Sequence, residues 1–387
     1  MAASRERFGI YVHIPFCRQK CYYCDFPSVA LAGRDAQGWM ERYTAALCAE
    51  IAAWERGRGG KPAPATLYFG GGTPTALPLG LLAQIVAALR ERFDDSRLEE
   101  FTAEANPGTV DAAYLAGLRE LGVNRLSLGV QSFDDALLQR IGRIHKASDA
   151  RMAVRMAQAA GFRNISVDLM YGLPGQSLAQ VKASMAEAAA LDVQHISIYG
   201  LMVEERTAFA RQQETGKLCL PDESTAEAMY DAMTAILPQY GYERYEISNF
   251  AKLGCESRHN FGYWTDVPYL GFGAAAHSYW HEERRENEAD VSEYMRLIEE
   301  RGTASRLEEE RTTEIAMEEF AFLALRTVRG IDATAFRRKF GMALHDVYDA
   351  PIRAMAAKGL LAEDGGFVRL TPLGMKMGNV VFREFLL

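Results

Sequence analysis

The sequence predicts an α/β protein: six consecutive βα units make up most of the chain, and a smaller, mainly helical unit closes it. Three observations carry this. Between residues 8 and 240, short β-branched or aromatic runs alternate with stretches of helical periodicity, the pattern of parallel sheets built from βαβ crossovers. From about 241 to 300 the composition shifts to Gly, Tyr, Trp and Asn, with HNFGYW, YLGFGAAAHSYW and the charged run HEERRENEAD. From about Glu308 helical patterning returns (TEIAMEEFAFLALR) and ends in two short strand-like runs around a DGG turn.

The strand candidates are Phe8–Ile14, Thr66–Phe69, Glu100–Ala103, Arg125–Gly129, Asn164–Leu169 and His195–Tyr199. Between them, Leu82, Ile85, Val86 and Leu89 fall at i, i+3, i+4 and i+7, which is one apolar helical stripe. Leu115, Leu118 and Leu121 repeat that spacing, with Asp111 near the helix start and Gly122 just past its end. Eight units would close a full barrel. Six leave either an open partial barrel or a doubly wound sheet, and the sequence admits both. Residues 241–305 predict strands and loops beside the sheet edge, and 306–387 a small winged-helix-like unit. For that unit, packing or docking is favoured over DNA binding, because the chain is acidic.

The net charge of −8 over 387 residues argues against non-specific nucleic-acid or anionic-membrane binding. No apolar run approaches the roughly 20 residues that span a bilayer. The start, MAASRERFGIYVHI, lacks the apolar core and small-residue cleavage site of a secretory signal, so a soluble, cytoplasmic protein is expected.

Of six cysteines, Cys17, Cys21 and Cys24 fall within one short loop after the first strand, and Cys48, Cys219 and Cys255 are scattered. Clustering in a reducing compartment points to a metal centre and away from a disulfide framework. Three thiolates at C-x3-C-x2-C can each take one iron of a [4Fe–4S] cubane; such clusters normally use four cysteines, so one iron stays open to a small ligand. Phe16, Tyr22, Tyr23 and Phe26 would keep water from the cluster. The alternative is a three-Cys zinc site completed by His13, since no second C-x2-C pair exists.

Polar residues recur at successive strand ends: Glu104 and Asn106 in AEANPG, Gln131 in SLGVQSF, Arg143 in QRIGRIH and Asp168 in VDLMYGLPGQ. Ends of parallel strands converge on the ligand site in α/β folds. Carboxylates there can accept from ribose hydroxyls or an ammonium group, and Arg143 can engage a carboxylate. Gly70-Gly71-Gly72-Thr73-Pro74, one βα unit after the cysteines, lets backbone approach a ligand closely.

The C-x3-C-x2-C loop followed by GGGTP resembles the radical SAM superfamily, which implies a partial (βα)6 barrel. The resemblance also implies that the open iron is chelated by S-adenosylmethionine, whose sulfonium is cleaved by one electron to a 5′-deoxyadenosyl radical. It places Gly71, Gly72 and Thr73 against the methionine moiety and Tyr11 near the adenine or cluster. An external electron donor such as flavodoxin or ferredoxin is implied as well.

Over nearly the whole chain, YVHIPFC, GGGTPT, GVQSF and DLMYGLPGQ resemble the group of oxygen-independent coproporphyrinogen III oxidase and the radical SAM heme chaperones of HemW type. The oxidase branch carries a further cysteine where this chain has Phe26, and an arm ahead of the cysteines, whereas 16 residues precede Cys17 here. Both departures favour the chaperone branch. HNFGYW matches that branch's HNxxYW motif, which implies heme ligation by His259 and flat faces from Tyr263 and Trp264. His277, His281 and Cys255 are rival ligands. The expected function is heme capture and delivery to an acceptor hemoprotein, compatible with a homodimer and with peripheral membrane association, without a transmembrane segment or nucleic-acid partner. Radical decarboxylation of coproporphyrinogen is the enzymatic alternative, and a cluster-based sensor acting through the C-terminal unit a third.

Overall fold

The computed structural model describes residues 7–33, 35–54, 60–309 and 311–387. Its first strand, β1 (Gly9–Ile14), leads into a short parallel pair, β2 (Phe16–Cys17) and β3 (Val29–Ala30). Then follow β4 (Thr66–Gly71), β5 (Glu100–Ala105), β6 (Arg125–Gln131), β7 (Asn164–Tyr171) and β8 (His195–Gly200). β1 and β4 to β8 are parallel neighbours in strict chain order. A doubly wound sheet would reverse its order at a switch point. This one does not, so the fold is the partial barrel. Between the strands lie α1 (Ala36–Ala53), α2 (Leu79–Arg92), α3 (Ala112–Glu120), α4 (Asp135–Arg140), α5 (Ala147–Ala159) and α6 (Leu178–Ala190); α7 (Ala208–Glu214) and α8 (Glu223–Ile236) follow β8.

Side chains alternate across each strand with period two. Ile10, Val12, Leu67, Phe69, Phe101, Leu126, Leu128, Ile165, Val167, Ile196 and Ile198 face the helices and share one core with Leu82, Ile85, Val86 and Leu89. Each such side chain, fully buried, contributes roughly 1.5–3 kcal/mol of transfer free energy. The outer face therefore holds the barrel together, and the inner face is left free to be polar.

The sheet continues on both sides. β9 (Glu243–Arg244) and β10 (Asn249–Ala251) extend it beyond β8, and β11 (Tyr269–Phe272) runs parallel to β1. β12 (His277–Trp280), β13 (Glu283–Asn287) and β14 (Ser305–Glu309) follow antiparallel, so the barrel stays open between β9 and β14. Strands and loops were the expectation for 241–305, but two helices stand there as well: α9 (Arg258–Trp264) and α10 (Val291–Arg301). Each has a side-chain cap at its start. Ser257 Oγ accepts from the Asn260 N–H at 3.4 Å and Asp290 from Glu293 at 2.9 Å. In α10, Val291, Tyr294 and Ile298 are buried at i, i+3 and i+7.

The C-terminal unit has its own core around Phe336, Tyr348, Ile352 and Leu325. It runs α11 (Thr313–Leu325), β15 (Ile331–Asp332), α12 (Ala333–Phe340), α13 (Leu344–Ala357), β16 (Leu361–Asp364), β17 (Phe367–Leu370), α14 (Pro372–Lys376) and α15 (Gly378–Phe382). The wing turn is Gly365-Gly366, both with positive φ, which is why two glycines are needed. Arg311 ties this unit to the barrel extension, donating to Glu319 at 2.8 Å and to the Tyr279 hydroxyl at 2.7 Å. Among the described residues no helix is long and apolar enough to cross a membrane.

Candidate functional site

The cysteine loop is pinned where it leaves and rejoins the sheet. Val29 N–H donates to Pro15 O at 2.6 Å, Leu31 N–H to Cys17 O at 2.9 Å, and Tyr22 N–H to Ile141 O at 3.1 Å. Held this way, Cys17, Cys21 and Cys24 line one cavity of about 370 Å³ at the carboxyl ends of the barrel strands. Thr73 Oγ1 lies 3.6 Å from Cys17 Sγ, and Arg143 Nη1 donates to Cys21 Sγ at 3.5 Å. Burial, reinforced by the neighbouring cysteines, pushes the Cys17 thiol up and that of Cys24 up to about 11. Crowded thiols that resist ionising alone are stabilised as thiolates by bound iron.

This donor set fits a cubane. The three thiols share one cavity wall, and each can take one iron. His13, the fourth ligand of the zinc alternative, is absent from that wall. Its Nε2 pairs with Pro27 O at 2.8 Å and its Nδ1 with the Tyr11 hydroxyl at 3.0 Å, and burial holds its pKa down to about 4.

The glycine turn after β4 forms part of the same wall. Gly71 has φ +113, and a Cβ there would stand 2.7 Å from the His13 ring; at Gly72 it would stand 2.9 Å from Phe16 O. Only glycine lets this backbone pack against the chain leaving β1. Thr73, Glu104, Asn106, Gln131, Arg143 and Asp168 also line the cavity. Gln131 sits at a register shift between β6 and β7 with φ +68, an uncommon backbone for a non-glycine residue. Asp168 accepts from Ser127 at 3.2 Å and from Ser166 at 3.3 Å. The Arg143 guanidinium already donates to Cys21 and to Gly129 O, and its Nε has no partner.

Glu104 accepts from the Tyr68 hydroxyl at 2.6 Å, and burial pushes its pKa from 4.5 up to about 7. The folded state thus binds this proton more tightly than the unfolded chain, and stability declines as pH rises through that window. At about 1.36 kcal/mol per unit the cost above pH 7 is on the order of 3 kcal/mol. Glu104→Gln should raise the urea midpoint of the metal-free protein at pH 8 and flatten its pH dependence between pH 5 and 7. An unchanged profile would mean that the carboxylate is solvated.

Tyr11, expected near the adenine or cluster, and His259, expected as a heme ligand, do not line this cavity. Tyr11 lines an adjoining cavity with its hydroxyl on His13, and its ring stacks on Tyr68, which does line the thiol cavity. His259 is 3% exposed. Its Nδ1 pairs with Thr66 Oγ1 and its Nε2 with the Tyr263 hydroxyl, both at 2.8 Å, and burial beside Arg125 holds its pKa down to about 3. The ring is built as a brace between α9 and β4, with no nitrogen open to iron. Trp264 is likewise engaged, under the Arg326 guanidinium at 4.6 Å from the ring centroid.

Other lining residues were not foreseen: Tyr68, Arg125, Ser127, Ser197, Tyr199 and Asn260. Ser127 lies in register with Glu104 and Ser197 with Asp168, and Arg125 and Tyr199 follow at period two on the same strands, so strand register brings them to the cavity. Asn260 follows His259 on α9; neighbouring helical residues point about 100° apart, and it enters the cavity that His259 does not. Arg125 is 1% exposed, with Nε and Nη1 unpartnered, and draws on the charges of Glu100 and Asp168.

Residues 11–188 match the family model of the radical SAM superfamily, and residues 312–376 that of the HemN C-terminal domain. The chain is 40% identical over 377 residues to the heme chaperone HemW of Bacillus subtilis, covering 97% of this chain and 98% of that one. It is 37% identical over 378 residues to the heme chaperone HemW of Lactococcus lactis, covering 97% of each. Among solved structures, the coproporphyrinogen III oxidase HemN of Escherichia coli superimposes with a TM-score of 0.86 at 24% identity, over 98% of this chain and 90% of that one, and so shares the fold. With full-length similarity of this kind, and three thiols gathered at the mouth of a partial barrel, the chain belongs to the HemW family of radical SAM proteins.

Proposed function

We propose that this protein carries a [4Fe–4S] cluster on Cys17, Cys21 and Cys24 with S-adenosylmethionine beside it, binds heme, and hands the heme to an acceptor hemoprotein. The observation that carries the reading is a single cavity lined by the three thiols, the Gly71–Thr73 turn, Glu104, Gln131, Arg143 and Asp168. Gly71 and Gly72 offer backbone at close range to the methionine moiety, and Glu104 and Asp168 offer acceptors for ammonium or ribose hydroxyls. Arg143 holds positive charge against the thiolates, and Tyr23 lines the cavity beside them as an apolar wall. When bound, cluster and cofactor supply one-electron cleavage of the sulfonium, for which a flavodoxin- or ferredoxin-type donor is required.

Heme enters the proposal from the full-length relatives named as heme chaperones. It is supported by Phe26 standing where the oxidase branch has its extra cysteine. In this reading residues 1–240 serve as the radical SAM core, 241–305 as the region that meets heme, and 306–387 as a packing or docking unit. Anaerobically reconstituted protein should bind heme stoichiometrically by absorption titration and pass it to an apo-hemoprotein. Conversion of coproporphyrinogen III to protoporphyrinogen at catalytic rates would reject delivery in favour of decarboxylation.

A further inference from the structure

A second cavity, of about 390 Å³, adjoins the cluster loop between Phe26 and Pro27 and the extension strands β11 to β13. That volume is within the range of roughly 300–1,000 Å³ typical of small-molecule sites. We propose that heme docks in this cavity with His277 as its axial ligand. The inference rests on the heme-binding reading above and names its site.

The histidines single out this position. His13, His145, His195, His259 and His345 each have both ring nitrogens in hydrogen bonds within the protein. His281 stands at 4.9 Å from the Trp280 ring and does not line the cavity. His277 does line it, with its side chain half exposed and its Nδ1 3.2 Å from the Glu308 carboxylate. No hydrogen bond is made by its Nε2 among the described residues. A carboxylate on Nδ1–H selects the tautomer whose Nε2 lone pair points outward and makes that nitrogen a stronger donor, the arrangement of a metal-ligating histidine.

The surroundings suit a flat, largely apolar macrocycle. Tyr11, Tyr263, Tyr269 and Phe26 present ring surface to the cavity. Phe26 is 63% exposed, unusual for an aromatic side chain that nothing covers. It also lines the thiol cavity, so a porphyrin stacked on it would lie one side chain from the cluster. At the rim Arg306 is paired with Glu286 at 2.8 Å and is two-thirds exposed, and so can turn to an anionic propionate.

The test is hemin titration of full-length, cluster-loaded protein, with the Soret band and electron paramagnetic resonance as readouts. Wild type is expected to show a histidine-ligated spectrum. His277→Ala should lose that signature and bind at least about tenfold more weakly, and Glu308→Gln should keep it with affinity reduced by about tenfold. Since His277 is half exposed, circular dichroism of the variant should match wild type. Tight, spectrally unchanged binding by His277→Ala would overturn the site and leave heme binding intact. Failure of wild type to bind hemin would overturn both.

Discussion

Alanine at Cys24 abolishes the iron–sulfur centre. Anaerobically reconstituted wild type should hold about four irons per chain with the broad visible band of a cubane, and Cys24→Ala should hold well under one. Three ligands are the minimum set here, because no fourth thiol lines the cavity. The metal-free fold should barely respond. Cys24 is only partly buried, and burial first, with Cys21 and Cys17, holds its thiol up to about 11, so in the apoprotein it is a neutral side chain whose deletion removes little packing and no charge. Cys48, Cys219 and Cys255 lie outside the cavity, and their alanine variants should retain full iron. Iron content and absorption measured side by side decide the matter. Undiminished iron in Cys24→Ala, or zinc in anaerobically prepared wild type, would refute the assignment.

The largest effect on stability is expected from Glu50→Ala. Glu50 lies fully buried in α1 and joins the barrel to its extension. Its carboxylate accepts from Gly273 N–H at 2.8 Å, from Asn287 Nδ2 at 2.6 Å and from the Tyr294 hydroxyl at 2.7 Å. Burial raises its pKa, so the charged form is tolerated only through these donors. Each buried donor stranded by the alanine costs about 1–3 kcal/mol, less whatever water or reorientation recovers. The sum is a loss of about 3 kcal/mol, a large share of the roughly 5–15 kcal/mol that stabilises a domain. Glu50→Gln should recover part of this, since one amide oxygen can still serve Gly273 and Tyr294 while its NH₂ confronts Asn287. Urea unfolding should show the midpoint fall in the order Glu50, Gln, Ala with little change in slope. A shift below about 0.5 kcal/mol for the alanine, the usual size for an unimportant surface change, would show that the network contributes nothing.

The chemistry most legible in the sequence is the chemistry carried by local spacing. Cys17, Cys21 and Cys24 lie in one loop, so their separation along the chain bounds their separation in space. Gly71 has a local backbone demand too, a φ of +113, whereas Gly72 is required by the close approach of Phe16 O. Glu104, Gln131, Arg143 and Asp168 were reachable because strand ends in a parallel barrel share one rim. Legibility fails where two distant segments decide a side chain's direction. Tyr11 is six residues before Cys17, yet the cavity it lines is walled by Tyr269 of β11, more than 250 residues later. In the 258–264 segment the short helix α9 sends Asn260 to the barrel cavity and His259 to Thr66, and nothing in HNFGYW announces which neighbour goes where.

By itself the sequence determined the α/β alternation, the three-thiolate loop, the glycine turn and the wing hairpin, because hydrophobic period, cysteine spacing and positive-φ glycines act over a few residues. Hydrophobic period left partial barrel and doubly wound sheet open, the resemblance implied the former, and the strand order shows it; tertiary structure alone used up both nitrogens of His259 and left one of His277 open. Those outcomes depend on which strand lies beside which, and strand pairing is set by burial of the whole outer face at once, a quantity no short segment contains.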